Sequence, residues 1–465
     1  MSMEKRDRQN LNLSLSTQIT PSSEEAEHQG NMVLQQNMFP NRWERIGLAA
    51  KREGVMFDNL LTHVKVETLR EAFKALSSSK ALGVDRQSKK DYGKNLEANL
   101  VDLENRIHKG SYKPQVKREV LIPKANGKTR PIAISCFEDK LVEWVIGKIL
   151  EAVYEPIFIT NSFGFRPGKS AHDAVKAAYY ALKDNQRRYV VEIDFANCFN
   201  SIPHRKLMKV IGKRITDRRF KGLIGRFLKV GILSQLKVVN ESKTGTPQGS
   251  IMSPILANVY LHEVLDTWFI EHHTRPRNVM VRYADDAIFL LEKAEGAKAL
   301  EKTLEVQVRK YGLELNKEKT KVIYFGKDQY SSFDFLGFTF YWGRKRRVRG
   351  RQLMIKTCKQ RLLKKIQDYY SWIKAIRSKE RLKKIWQLAS AKLQGHYNYF
   401  GFWMNRTKLL YFYQQAIYSM FKWLNRRSQK RSYSWDKFCR RLEHNPLPLP
   451  PEIKHLKQLG WNPYV

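Results

Sequence analysis

VMVRYADDAIFLL, residues 279–291, consists of two apolar runs around a polar tip, Tyr283-Ala284-Asp285-Asp286. The pattern predicts a strand, a tight turn and a second strand. Adjacent carboxylates at such a tip repel, and each needs a cation or a hydrogen-bond donor. Successive strand residues face opposite sides, so in a regular hairpin Asp285 and Asp286 are not equivalent: one is free to bind metal directly while the other supports it. Magnesium takes oxygen ligands, usually one or two carboxylates with substrate phosphate and water, so the pair suits phosphoryl transfer. Taken alone, the same residues could form a solvated turn, and the rest of the chain has to decide.

Upstream, the apolar run Tyr189-Val190-Val191-Glu192-Ile193 predicts a strand that delivers Asp194 at its C-terminal end. Two such strands side by side bring Asp194 against Asp285, the carboxylate pair that two-metal nucleotidyl transfer requires. Phe199 follows closely. A ring there can face the sugar of an incoming nucleotide and clash with a 2′-hydroxyl, or it can be an ordinary core residue.

The chain has 465 residues, with 85 Lys plus Arg against 45 Asp plus Glu and a formal charge of +40. That length supports two or three domains, and the charge points to a polyanionic partner, most simply nucleic acid. A basic membrane-facing or solubilising surface is the alternative. Cys136, Cys198, Cys358 and Cys439 are scattered without a CxxC pair, which indicates neither a zinc site nor a disulfide framework and fits a reducing setting. No apolar stretch approaches the ~20 residues that span a bilayer, and the N-terminus lacks a signal-peptide core. Glu24, Glu25 and Glu27 argue against a transit peptide. The expectation is a soluble, intracellular protein without a membrane partner.

Residues 1–40 are polar and read as a flexible leader. Leu60 to Leu76 carry helical spacing. Residues 118–124 and 129–134 flank Asn126-Gly127, a strong hairpin signal because both residues tolerate positive φ. Helical patterns follow at 138–153 and 171–183. TGTPQGS, residues 244–250, is a loop, after which Ser253-Pro254 caps and opens a helix to about Trp268. A helix near 296–311 and strands at 321–325 and 335–340 come next. Helices and strands mix without regular βαβ alternation, which predicts an α+β palm. Beyond Gly343 comes a basic tract with Arg344, Arg346, Arg347, Arg349 and Arg351, then helical pattern to about 427 with interleaved aromatics. Those rings read chiefly as the core of a helical domain, with the basic faces left for phosphates. NPLPLPP, residues 445–451, reads as extended.

The ordered set IPKANGKTRPIAIS, SFGFRPGKSAHDAV, VVEIDFANCFNSI, TPQGSIMSPILANVYL, RYADDAIFLL, GLELNKEKT and FDFLGFTF resembles the reverse transcriptases of bacterial and organellar group II introns over roughly residues 65–345. GHYNYFG, residues 395–401, resembles the family's maturase or thumb domain, and NRRSQKRSYSWDKF, residues 425–438, a C-terminal segment of some members. The resemblance implies an α+β right-hand polymerase. Its expected divisions are a leader at 1–40, a helical extension at 41–112, fingers and palm at 113–343, a helical thumb or X domain at 344–427, and a basic, Pro-rich segment at 428–465. It implies an RNA-directed DNA polymerase that also binds its intron RNA as a splicing and retrohoming cofactor. Two Mg2+ ions are implied, with Mn2+ able to substitute, together with an RNA template, a DNA primer or target, and deoxynucleoside triphosphates.

By motif, Asp194, Asp285 and Asp286 match the metal-binding triad, and Lys124 and Arg130 the grip on the triphosphate. Phe199 matches the sugar gate, Gln248 and Gly249 the loop beside the primer–template minor groove, and Lys319 a lysine near the leaving group. Arg344, Arg346 and Arg347 are the expected template–primer contacts of the basic tract. The sequence departs from the family in reading Gly83-Val84-Asp85-Arg86 where Gly follows Asp, and in having no paired Cys and His cluster of an HNH nuclease, so second-strand cleavage is not expected. Two other readings remain open: a domesticated enzyme in defence or repair, and an RNA-binding maturase without polymerase activity.

Overall fold

The computed structural model describes residues 41–123, 129–234, 237–239, 244–246, 249–273, 277–344, 350–427 and 434–451. Its centre is an antiparallel sheet in the order β6-β7-β3-β8, formed by β3 (Tyr189–Ile193), β6 (Val279–Tyr283), β7 (Asp286–Leu291) and β8 (Lys321–Tyr324). The unbroken apolar run of β7 reflects burial on both faces. Ala287, Phe289 and Leu291 enter one hydrophobic core, while Ile288 and Leu290 enter a second. Val191 and Ile193 of β3 join the first and Val190 the second, as the two-residue period of a strand requires.

The first core is closed by the helices Phe137–Tyr154, Ser253–Leu261 and Ala294–Lys310. Phe137–Tyr154 has no exposed residue and buries even the charged Asp139, Lys140 and Glu143, as fits a helix enclosed by protein. Pro254 stands in the first turn of Ser253–Leu261, but Met252 is the N-cap and Ser253 is already helical, one step off the expected cap. That helix continues through a π-helical turn, His262–Thr267, into Trp268–His272.

A second sheet, β2-β1-β4-β5, contains the two arms of the hairpin expected around Asn126-Gly127, residues that themselves lie outside the described residues. Here β1 (Lys117–Pro123) and β2 (Thr129–Ile134) pair antiparallel with Ile122 opposite Arg130, and the short strands β4 (Ile232–Ser234) and β5 (Lys237–Val239) extend it. A third sheet holds β9 (Ser332–Phe335), β10 (Phe338–Arg344) and β11 (Arg351–Thr357). The single strand expected at 335–340 is therefore the tip of a hairpin. Leu336 and Gly337 both take positive φ, 52° and 81°, which turns the chain within two residues. β10 pairs with β11 along its whole length, so the division expected between 343 and 344 falls inside a strand, and part of the stretch read as helical is β11.

The second core lies between the central sheet, the helix Ala171–Leu182 and the helices Lys359–Ile376, Leu382–Phe400 and Arg406–Leu424. Buried Asn405, the N-cap of Arg406–Leu424, ties that helix to β11 and to the end of Leu382–Phe400: Thr357 N donates to its Oδ1 at 2.7 Å, and its Nδ2 donates to Phe400 O at 2.8 Å. The chain after 428 contributes to this core as well. Helix Trp435–His444 packs Phe438 against Phe421, and Leu447 of the Pro-rich stretch is buried. The basic segment expected from 428 thus includes a helix, because Trp435, Phe438 and Leu442 form an apolar face that needs cover, while 446–450, within the stretch read as extended, lies in no helix. Among the described residues no helix is long and apolar enough to cross a membrane. The leader lies outside the described residues.

Candidate active site

Tyr283 pairs with Asp286, so Ala284 and Asp285 form a two-residue turn between β6 and β7, and Ala284 takes φ 57°. A left-handed alanine is unfavourable and persists only where its surroundings impose it. Those surroundings are specific. Arg282, fully buried, donates to Ala284 O at 3.1 Å while its Nε and Nη2 bind both oxygens of buried Asp266 at 2.7 and 2.5 Å. Its Nη1 also reaches Asn258 Oδ1 at 3.0 Å, and Asn258 Nδ2 donates to Gly164 O at 2.6 Å. Gly164 lies so close that a Cβ there would overlap the backbone nitrogen of Ala284. Burial alone would raise the Asp266 carboxyl, but the Arg282 charge and the hydrogen bonds from His262 and Arg282 hold it below its ordinary value. The π turn brings Asp266 and His262 to this point. Arg282 was detectable as a charge inside an apolar strand. Its partners were not, since they come from another helix and from the SFGFRPG loop.

β3 and β7 run antiparallel, ending on the pair Ile193 and Ala287, so Asp194 emerges next to Asp286 at the same edge of the sheet. The GLELN segment lies alongside: Asn316 N donates to Asp194 O at 2.7 Å and Ala196 N to Glu314 O at 2.9 Å. This alignment carries Lys319, whose Nζ reaches Asp194 Oδ2 at 2.7 Å and whose pKa is raised by that hydrogen bond.

The acidic pair is only partly compensated. Asp285 is raised above its ordinary value by burial first and then by the Asp194 charge, against opposing pulls from Arg130 and Arg282. Asp286 is pushed up to about 6 by desolvation, then by Asp285 and Asp194. Because the Asp286 side chain is accessible, the repelling charges are the firmer of these causes. Among the described residues no three of His, Cys, Asp and Glu converge into a ready-made ion cage. The expected triad is gathered at one edge of the sheet, yet it does not form a closed three-carboxylate nest.

Asp194, Asp286 and Lys319 open onto a groove of about 460 Å³ that is bounded on the far side by Leu336, Gly337 and Arg361. Phe199 is partly buried beside this edge of the molecule, and its ring meets that of Phe165 edge to face at 6.4 Å. Phe165 is 55% exposed with φ 56°, a backbone held in an unfavourable conformation that no local sequence pattern marks. The TPQG loop reaches the same place. Thr246 N donates to Phe199 O at 2.7 Å, and Gly249, at φ 109°, is pressed against Ala133 O and Ile132 of β2, leaving no room for a side chain. Just beyond, Ile251 N donates to Glu143 Oε2 at 2.9 Å, and buried Glu143 also pairs with buried Lys117 of β1 at 2.7 Å. The hairpin sheet and the loop are thereby locked to one another.

Arg130 is exposed at the start of β2, near enough to Asp285 for its charge to register there. Arg344, at the end of β10 remote from the Leu336-Gly337 turn, is not brought to the groove; about six residues of strand, roughly 20 Å, intervene. Lys124, Gln248, Arg346 and Arg347 lie outside the described residues.

A four-stranded antiparallel sheet carrying an acidic hairpin tip and a third aspartate on the neighbouring strand, set among helices and followed by a helical C-terminal region, is the palm of a right-hand polymerase. Residues 122–340 match the family described as reverse transcriptase (RNA-dependent DNA polymerase). Protein YkfC of Escherichia coli is 31% identical over 330 residues, covering 63% of this chain and 85% of YkfC. An uncharacterized 91 kDa protein in a cob intron of Schizosaccharomyces pombe is 44% identical over 33% of this chain and 19% of its own length. The group II intron-encoded protein LtrA of Lactococcus lactis is 42% identical over 33% of this chain and 26% of LtrA. The match thus spans most of YkfC but about a quarter or less of the two intron proteins. This chain belongs to the reverse transcriptase family, in its group II intron-encoded branch, and its enzyme class is RNA-directed DNA polymerase.

Proposed function

We propose that this chain copies RNA into DNA by two-metal nucleotidyl transfer at Asp194, Asp285 and Asp286, and that it binds its intron RNA as a splicing and retrohoming cofactor within a cytoplasmic ribonucleoprotein. The observation that carries the polymerase reading is the crowding of carboxylates at the β3 and β7 edge, where Asp285 and Asp286 are both raised, by burial first and then by the neighbouring carboxylate charge. Such a deficit fits a hard dication. A closed cage is not needed, because magnesium is commonly held by one or two carboxylates with phosphate and water completing its shell. Asp194 and Asp285 would hold it, Asp286 would support them, and manganese would substitute. When bound, the metal pair activates the primer 3′-hydroxyl and neutralises the leaving pyrophosphate.

The remaining residues position the substrate. Arg130 and Lys124 grip the triphosphate, a geometry for which charge-assisted hydrogen bonds are suited. Phe199, backed by Phe165, stands where a 2′-hydroxyl would collide, which favours deoxynucleotides. Gln248 and Gly249 border the primer–template minor groove, and Lys319 holds Asp194 in place until substrate arrives. Residues 113–343 would act as fingers and palm and 344–427 as thumb or maturase domain, with Arg344, Arg346 and Arg347 contacting RNA along its phosphates.

The test is extension of a DNA primer on an RNA template with magnesium and deoxynucleotides. Wild-type protein should give full-length product. Asp285→Asn should reduce the rate about 10³-fold or more while RNA binding is retained; continued synthesis by that variant would remove the metal assignment.

A further inference from the structure

GHYNYFG, residues 395–401, closes helix Leu382–Phe400 and has no part in the chemistry described so far. Its spacing gives its residues different tasks. Tyr397 and Phe400 share one helical face and are buried in the second core, and Gly401 is packed so tightly that a Cβ would overlap Tyr397 O. Tyr399 lies on the opposite side of the helix from Tyr397, where it is 38% exposed.

Tyr399 sits at a junction. Its hydroxyl donates to Leu336 O at 3.0 Å, and its ring stacks on Phe338 with centroids 6.1 Å apart and planes 16° from parallel. Its own carbonyl accepts from His172 Nε2 of helix Ala171–Leu182. Burial raises its phenol above the ordinary value, Arg361 opposes this, and Tyr283 and Asp286 add to it, which marks how near the ring stands to the catalytic hairpin.

Leu336 is a residue that needs such a partner. Its φ of 52° is left-handed, an unfavourable conformation for leucine that persists only where the surroundings impose it. Gly337 takes the same region freely, and its carbonyl accepts from Cys358 N at 3.0 Å. Together Leu336 and Gly337 form the far wall of the groove that Asp194, Asp286 and Lys319 line. A wall displaced by about 1 Å would misplace whatever reacts beside those carboxylates, and an error of that size costs as much as ~10²-fold in rate.

We propose that Tyr399 is a positioning residue: its hydroxyl holds the Leu336 carbonyl, and with it the groove wall that faces the catalytic carboxylates. Helix Leu382–Phe400 thereby sets the geometry of the chemical step through a protein turn. The inference rests on the reading of the groove as a polymerase site.

The experiment is steady-state primer extension by the full chain, with kcat, the deoxynucleotide KM and the template–primer Kd measured separately. Tyr399→Phe keeps the ring and loses one hydrogen bond. Its kcat should fall about threefold to tenfold, with KM and Kd changed by less than about twofold and a melting temperature close to that of wild type. The turn supplies the second arm. Asparagine accepts the left-handed conformation that leucine resists, so in a Leu336→Asn background Tyr399→Phe should lower kcat by less than about twofold. Should Leu336→Asn melt far below wild type, Leu336→Gly takes its place in the cycle. Unchanged kcat for Tyr399→Phe, a loss that appears in Kd in place of kcat, or an equal loss in both backgrounds overturns the proposal. A lower melting temperature with kcat of the folded fraction intact also overturns it, because that is the signature of a packing residue. Failure of the underlying reading looks different: wild-type protein that makes no DNA removes the polymerase assignment, and this proposal with it, before Tyr399 is varied.

Discussion

Arg282 and Asp285 stand on the same hairpin, yet they experience opposite electrostatics. Arg282 is fully buried and fully answered by Asp266, Asn258 and the Ala284 carbonyl. Asp285 and Asp286 are raised above their ordinary values, by burial first and then by the carboxylates crowded beside them, and the neighbouring cations offset this only in part. The contrast separates scaffold from chemistry. A compensated buried pair fixes geometry, since disturbing either partner strands the other, whereas a partly compensated acidic edge retains a deficit that a cationic ligand can relieve.

The comparison breaks most sharply at Arg282. Arg282→Met should leave Asp266 buried with only His262 beside it and lower stability by about 3–5 kcal/mol, read by denaturant unfolding. Combining it with Asp266→Leu should recover much of that loss while synthesis stays depressed, because the turn at Ala284 remains unsupported. If the single variant unfolds like wild type, the clamp has no structural weight.

On the chemical side, Phe199→Val should admit ribonucleotides. Steady-state kinetics with paired deoxy and ribo substrates should show the discrimination falling about 10-fold to 100-fold, equivalent to roughly 1–3 kcal/mol. Unaltered selectivity would leave Phe199 as a packing residue.

A gentler probe is pH. Asp286 is raised from 3.8 to about 6. Between those values the folded chain keeps a proton that the unfolded chain has lost, so this contribution is fully present below 3.8 and is lost as pH rises toward about 6. Metal-free protein should therefore melt progressively lower across that window. Asp286→Asn should flatten the trend and raise the melting temperature above it, at the expense of synthesis. An identical pH profile for the variant would contradict the crowding of charge.

The smallest effect is expected at Arg344, which lies away from the groove. Arg344→Gln should leave synthesis on a tightly bound duplex unchanged and reduce the slope of RNA affinity against salt by about 1, measured by titration across ionic strengths.

What could be read from the sequence, and what could not, follows the same division. The runs at 189–193 and 287–291 were legible as strands because a sheet buried on both faces favours near-continuous apolar runs, interrupted here only by the half-buried Glu192. Asn126-Gly127 announced its hairpin because both residues accept positive φ. The turn at Leu336-Gly337 was missed because leucine at φ 52° carries no turn signal, and with it went the strand boundary near 343. Helix Trp435–His444 was hidden behind the basic residues around it. Phe165, Glu143 and Arg361 are ordinary letters in the sequence and become informative only through what they face.

By itself the sequence determined which side chains carry negative charge at strand ends and where their strands begin and stop, because those follow from local periodicity and turn chemistry. The tertiary structure alone decided that Asp194 emerges beside Asp286, that Lys319 caps it, and that Arg282 finds Asp266 across a π turn. These are contacts between segments far apart in the chain, and their strength comes from burial and mutual charge, quantities that no local pattern encodes.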